Sequence, residues 1–415
     1  MTTPHEGPDM NLTFPTGHVP RYHGFELAGL LDETMREGAE RCPFAVPADR
    51  KSALTRRILD AGVRDVVFGS APSDPDLMAS ILEELHGEGR TEGVQLAFIL
   101  LLNCWEPLFD RFATFPDHLK DHVCISFGMV DHNSQEQLFE RVCETFRSIG
   151  FRHFRVSLLN NFGSGVDEKS YAHITRQIDR SLALGIDTVR INDSLGVCYP
   201  ETMAVLAANL VHQYPGTHFC VHAHDDKGFG LQNALTSLYH GFDLIEGGFS
   251  GFGNRSGLPA IEVLMKIFEE KNITIRGLSF DHDVLRDVGY AAEDTFLVVP
   301  NVYRAVTGKI VNWENLGVAN IPDYLGSERR ARKFLTDVGT HDQTLRDILR
   351  KAGRVAAQDT NAIEPFRQAR HAEMEDVYRA KRTAYESLVA GIQTLYGEDT
   401  MFEEVAIERA RALAD

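Results

Sequence analysis

Eight short β-rich apolar runs recur along the chain at roughly thirty-residue spacing, and that spacing constrains the fold more than any other feature. The runs are FELAGLLDET, VRDVVFGS, VQLAFILLLN, HVCISFGM, FRHFRVSL, IDTVRIND, THFCVHAHD and FDLIEGGFSG. Between them lie stretches with apolar residues at helical intervals, such as SQEQLFERVCETFRSIG and PETMAVLAANLVHQYPG. Several stretches end in glycine (Gly62, Gly150, Gly185, Gly241) just before the next run, where a helix C-terminus favours a residue tolerant of positive φ. The last run is followed by IEVLMKIFEEKN. Eight strand–helix units predict an α/β protein, a (β/α)8 TIM barrel over residues 25–275. A doubly wound open sheet is the alternative, but no G-x-G-x-x-G follows the first run.

The flanks read differently. Residues 1–24 form an N-terminal arm, 276–355 a post-barrel helical subdomain, and 356–415 a C-terminal helical tail. The stretches SERRARKFLTDVG and IEPFRQARHAEMEDVYRAKRTAYESLVAGIQTLYG are too polar to add a second large core, so the barrel carries a C-terminal helical extension. A formal net charge of −18 argues against nucleic acid as a partner. It leaves room for an anionic small molecule held by a local arginine cluster. The six cysteines form no CxxC pair and read as reduced residues of a cytoplasmic protein, not as a thiolate zinc site. No apolar run of about 18 residues marks a membrane span, and no basic-then-apolar leader opens the sequence.

In a barrel of this kind chemistry gathers at the C-terminal ends of the strands. The seventh run ends in VHAHDD, and alternation along a strand points His222 and His224 the same way. Two neutral imidazoles at a barrel mouth are either a pair of metal ligands or two hydrogen-bonded rim residues. The first run ends in LLDETMREG and brings Asp32, Glu33, Arg36 and Glu37 to the same rim. Glu37 with the two histidines makes a facial set of three with open positions; a solvated Arg36–Glu37 pair is the plainer reading. The fifth run offers Arg155 and Ser157 on one face, and the sixth ends in Asn192, Asp193 and Ser194. Arginine suits a bidentate grip on a carboxylate or phosphonate.

These residues resemble a known superfamily. DETMREG is similar to the D-x-T-L-R-[DE]-G segment of the DRE-TIM metallolyases, HAHDDKGFGLQNA to their H-x-H-[DN]-D segment, NDSLGVCYP to D-T-x-G-x-x-x-P, and GFSGFGNRSGLPAIE to G-x-G-E-R-x-G. The superfamily includes homocitrate, isopropylmalate and citramalate synthases, hydroxymethylglutaryl-CoA lyase and 4-hydroxy-2-oxovalerate aldolase. VVPNVYRAVTG resembles the segment that follows the barrel in the Claisen-condensing branch. The resemblance implies a divalent metal (Mg, Mn, Zn or Co) on Glu37, His222 and His224, with Arg36 stabilising an oxyanion. It implies that Arg155 and Ser157, in the R-x-S pattern of homocitrate synthase, grip the far end of a 2-oxo acid, with Ser194 and Asn103 (or Cys104) also touching substrate. The implied reaction condenses acetyl-CoA with a 2-oxoglutarate-like dicarboxylate or a phosphonate or phosphinate analogue, in a homodimer. A retro-aldol lyase without acetyl-CoA is the alternative. The sequence departs from the pattern at Glu40, at Asn254, and after the barrel, where Glu314 and Ala319 align with the synthases' two histidines. Glu314 is thereby a candidate base, with Tyr303 as another.

Overall fold

The structure, a computed structural model, describes residues 12–128, 137–160, 165–311, 313–316, 332–335, 340–354, 360–397 and 402–413. Eight parallel strands form a nearly closed barrel: β1 (Gly29–Asp32), β2 (Asp65–Gly69), β3 (Gln95–Leu101), β4 (Val123–Gly128), β5 (His153–Asn160), β6 (Thr188–Asp193), β7 (His218–Ala223) and β8 (Leu244–Gly247). The hydrogen-bonded order is β7-β6-β5-β4-β3-β2-β1-β8, so the first strand pairs with the last, Gly29 opposite Leu244. Each strand is one of the eight runs anticipated from sequence. The glycines expected at helix ends hold positive φ, 98° at Gly62 and 115° at Gly241, where a side chain would be strained.

Alternation along the strands divides the barrel residues into two sets. Val66, Phe98, Ile125, Val156, Val189 and Val221 face outward into the helices as part of one large apolar core. The inward set is apolar on one side, where Val67, Ala97, Ile99 and Cys124 cluster. On the other it is polar: Arg155, Ser157, Arg190, Asn192, His222 and Glu246 are all buried. A barrel interior filled this way must pair its polar groups or hold a ligand, since an unpaired buried charge is costly.

The first unit runs from residue 1 to Val298, past the barrel end expected at 275. The reason is the helix His282–Thr295, which buries Leu285, Val288 and Ala292 in the barrel core, as does Phe296 just beyond it. Phe296 lies directly over Gly38 in the helix α1 (Thr34–Arg41); a Cβ there would come within 2.3 Å of its ring. Gly38→Ala is therefore expected to cost about 1–3 kcal/mol in chemical denaturation, because the ring must be displaced from a packed core. A loss under about 0.5 kcal/mol would show that the ring moves freely.

The N-terminal arm is a strap. Arg21 donates to the carbonyls of Leu238 and Phe242, and Asn209 donates to the carbonyl of Thr13. The strand Glu26–Leu27 then pairs with Thr274–Ile275. The second unit, Val299–Asp415, contains a short parallel ladder, Trp313–Asn315 with Arg332–Phe334, and the helices Asp342–Lys351, Ile363–Gly397 and Glu403–Ala412. No helix of the described residues is long and apolar enough to cross a membrane.

Candidate active site

Strand β1 ends at Asp32, and α1 starts two residues later, so Arg36 and Glu37 project from its first turn at the C-terminal mouth of the barrel. The turn is fixed from both sides. The Asp32 carboxylate accepts from the Thr34 backbone N–H and hydroxyl, and the Phe249 N–H donates to Thr34 Oγ1 at 2.8 Å, tying the end of β1 to the loop after β8. Burial pushes the Asp32 carboxyl up to about 7.

His222 and His224 stand at the end of β7, both buried. Their Nε2 atoms lie 3.1 Å apart, and Glu37 Oε1 is 3.3 Å from His222 Nε2. One donor atom from each of the three residues falls within 4.8 Å of the others. Glu37 is held by the Asn254 backbone N–H at 2.6 Å and by Arg36. Burial opposes its ionisation, but Arg36 and His222 hold its carboxyl below the usual carboxylate range. Burial likewise lowers His224, helped by the neighbouring His222, to about 4, so this ring is neutral at ordinary pH. Burial would lower His222 too; Glu246 against its Nδ1 outweighs that and raises it to about 9.

This donor set fits a divalent cation. Two imidazole nitrogens and an ionised carboxylate converge, and His224 Nδ1 is buried with no hydrogen-bond partner among the described residues. Glu246 behind His222 is the outer carboxylate that orients a ligating histidine. A second group of potential ligands, Glu33, His222 and Glu246, is bridged by the Arg190 guanidinium and is better read as an ion-pair network. The shifts carry a linkage prediction. A proton that resides on His222 up to about pH 9 competes with a metal for Nε2, while Glu37 and His224 carry none at pH 7. Metal uptake at pH 7 is expected to release about one proton, and affinity to rise about tenfold per pH unit until about pH 9. Calorimetry in buffers of differing ionisation enthalpy reads the proton count; zero release would contradict the assignment.

Directly beneath the histidines lies a plate of hydrogen bonds spanning the barrel. Arg190 is 1% exposed and donates to Glu246 at 2.7 Å, to Ser157 Oγ at 2.9 Å and to Glu33. Ser157 Oγ lies 3.2 Å from Ser126 Oγ, and Glu33 accepts from Arg36 at 2.7 Å. Arg190 Nη2 is 3.1 Å from His222 Nδ1, so the plate begins where the histidines end.

Of the residues anticipated from sequence, Arg36, Glu37, His222 and His224 come together. Ser194 is at the same mouth; its carbonyl accepts from Arg255, which also pairs with Asp226. Asn103 sits exposed just past the end of β3, next to the exposed Cys104. Ser157 is in the plate, bonded to Arg190. Arg155 is not brought to the mouth, contrary to the expected substrate grip. It lies one inward position below Ser157, bonded to both Asp65 carboxylate oxygens at 2.7 and 2.8 Å and to Cys124 Sγ. It lines a cavity of about 500 Å³ at the opposite, N-terminal end of the barrel. Glu314 belongs to the second unit, on the strand Trp313–Asn315, and its side chain is outside the described residues. Sequence reasoning missed Arg190 and Glu246. The signal was there: each is a lone charge inside an apolar strand, VRI and LIEG, and two opposite charges at inward positions call for each other.

The HMGL-like family profile matches residues 28–288, well over half of the chain. The chain belongs to the HMGL-like family. Its relatives include the homocitrate synthases of Sulfurisphaera tokodaii, 24% identical over 57% of this chain and 51% of that protein, and of Sulfolobus acidocaldarius, 24% identical over 57% and 50%. The chain thus spans about half the length of the curated relatives it matches. Among solved structures, hydroxymethylglutaryl-CoA lyase from Pseudomonas aeruginosa superposes with a TM-score of 0.55 at 19% identity, covering 70% of this chain and 99% of that one. That likeness shows the barrel fold.

Proposed function

We propose that this HMGL-like protein is a metal-dependent acyltransferase that condenses acetyl-CoA with a 2-oxo acid to give a 2-hydroxy-2-carboxymethyl acid. The observation that carries the reading is the open set Glu37, His222 and His224 with Arg36 alongside. Glu37, His222 and His224 would hold a divalent cation there, which would supply Lewis-acid polarisation of the ketone. Arg36, only 11% exposed, is placed to hold negative charge developing on the ketone oxygen, and Glu33 and Glu37 fix its orientation. Asn254 and Arg36 keep Glu37 ionised, while Glu246 fixes the ring of His222. Glu40, bonded to Arg36 at the mouth, has its carboxyl raised by burial, which works against the Arg36 pairing. It is a candidate to take the methyl proton of the thioester; Glu314, in the second unit, is the other candidate. The relation to homocitrate synthases supports condensation over retro-aldol cleavage.

The test supplies Mg²⁺ or Mn²⁺, acetyl-CoA and a panel of 2-oxo acids, and follows release of free thiol. Release dependent on one acid establishes the condensation. Silence across the panel with metal bound sinks it and moves the reading to the lyase. Glu40→Gln against Glu314→Gln, compared by pH profile, separates the two candidate bases.

A further inference from the structure

Asn192 stands on β6 opposite His222 in the register, at the inward position just above Arg190. It is 7% exposed, and its Oδ1 is buried with no hydrogen-bond partner among the described residues. A buried carboxamide left open beside a ligand-binding ring is a polar group waiting for a ligand. The plate closes the barrel beneath it, and Arg190 directs its bonds to Glu246, Ser157, Glu33 and His222.

The charge around this space is balanced without a distal anion. Glu33, Glu37, Glu40 and Glu246 contribute −4, Arg36 and Arg190 +2, and a bound dication +2, which sums to zero. The carboxylate by which a 2-oxo acid chelates brings −1. Of the other described ionisable groups nearby, Arg255 is already paired with Asp226, and the carboxylates of Asp32 and Asp193 are taken up by Thr34 and by the Val197 and Cys198 N–H groups. A second carboxylate directed into the barrel would meet Glu33 and Glu246, while Arg155, the cation expected to receive it, lies below the plate, its Nη2 on Asp65, its Nε on Cys124 and only its Nη1 open among the described residues.

We infer that Asn192 reads the substituent on C3 of the acceptor, and that the plate restricts this acceptor to a short 2-oxo acid whose C3 substituent is uncharged and donates a hydrogen bond. The inference rests on the reading of the mouth as a 2-oxo acid site. It excludes a five-carbon dicarboxylate as the preferred acceptor.

The experiment uses the full-length, metal-loaded protein and titrates 3-hydroxypyruvate, pyruvate, oxaloacetate and 2-oxoglutarate by calorimetry without thioester, then repeats the series in the thiol-release assay. The expected order is 3-hydroxypyruvate, then pyruvate, with the two dicarboxylates weaker by about a hundredfold, as buried like charges require. Asn192→Ala is expected to weaken 3-hydroxypyruvate about tenfold, the worth of a buried hydrogen bond, and to leave pyruvate nearly unchanged. Asn192→Ser, which keeps a hydroxyl, should recover part of the loss. A uniform loss across all acids, tight binding of 2-oxoglutarate, or binding of none overturns the inference. The expected order of binding without thiol release would uphold it and refute the condensation alone.

Discussion

Alanine at His222 is expected to cut metal affinity by at least about a hundredfold and to bring thiol release to background, because the ring supplies one of three donors and carries the link to Glu246. Metal content after gel filtration, read by elemental analysis, checks the first part, and the thiol assay the second. Glu246→Gln provides the graded comparison. It leaves all three donors in place and removes the charge behind His222, which also pairs with Arg190, so affinity should fall by about ten- to a hundredfold. The same change should lower the pKa of His222, which Glu246 holds at about 9. A His222→Ala protein that keeps one equivalent of metal would move the site elsewhere, with the buried Glu33–His222–Glu246 group excluded by the same result.

Arg190→Met should be the most destabilising single change in the barrel interior, by about 3–5 kcal/mol. The methionine fills similar space, but Glu33 and Glu246 lose the guanidinium that lies between them, and both are essentially unexposed. Chemical denaturation at pH 7 reads the loss. The effect should shrink as the pH falls, since protonating Glu246 removes a buried charge that Arg190 offsets. Adding Glu246→Gln to Arg190→Met should recover part of the loss, and the double-mutant cycle then gives the coupling. A single-mutant loss below about 1 kcal/mol would mean water reaches the plate, and with it the argument for a closed floor fails.

The barrel was legible because its strands are apolar on both faces over much of their length and its helices are amphipathic, so the two periods separate cleanly. The candidate metal ligands were legible for a related reason. Parity along THFCVHAHD settles that His222 and His224 share a side, and a strand end settles that the side is a mouth. Depth was not legible. Arg155 and Ser157 share parity with each other, but nothing in FRHFRVSL says how far each stands from the rim. Strand β5 starts at His153, so Arg155 falls near its lower end and Ser157 at mid-barrel. The stagger between neighbouring strands, which sets Ser157 beside Arg190 and Asn192 beside His222, is a property of the closed barrel and not of any one segment. The helix His282–Thr295 was assigned outside the barrel for want of a strand to follow, although its Leu285, Val288 and Ala292 spacing is that of a buried face.

The N-terminal strap has a consequence for how the chain reaches this state. Arg21 holds the carbonyl of Phe242, 221 residues away, and β1 finds its second neighbour only in β8. On a ribosome β1 emerges first and waits for nearly the whole first unit to be synthesised before its free edge is covered. Non-local pairing of this order slows folding and leaves an apolar strand open to other chains in the interval. Truncation from the N-terminus through Arg21 would therefore show its effect less in the finished protein than in the yield of soluble chain during synthesis.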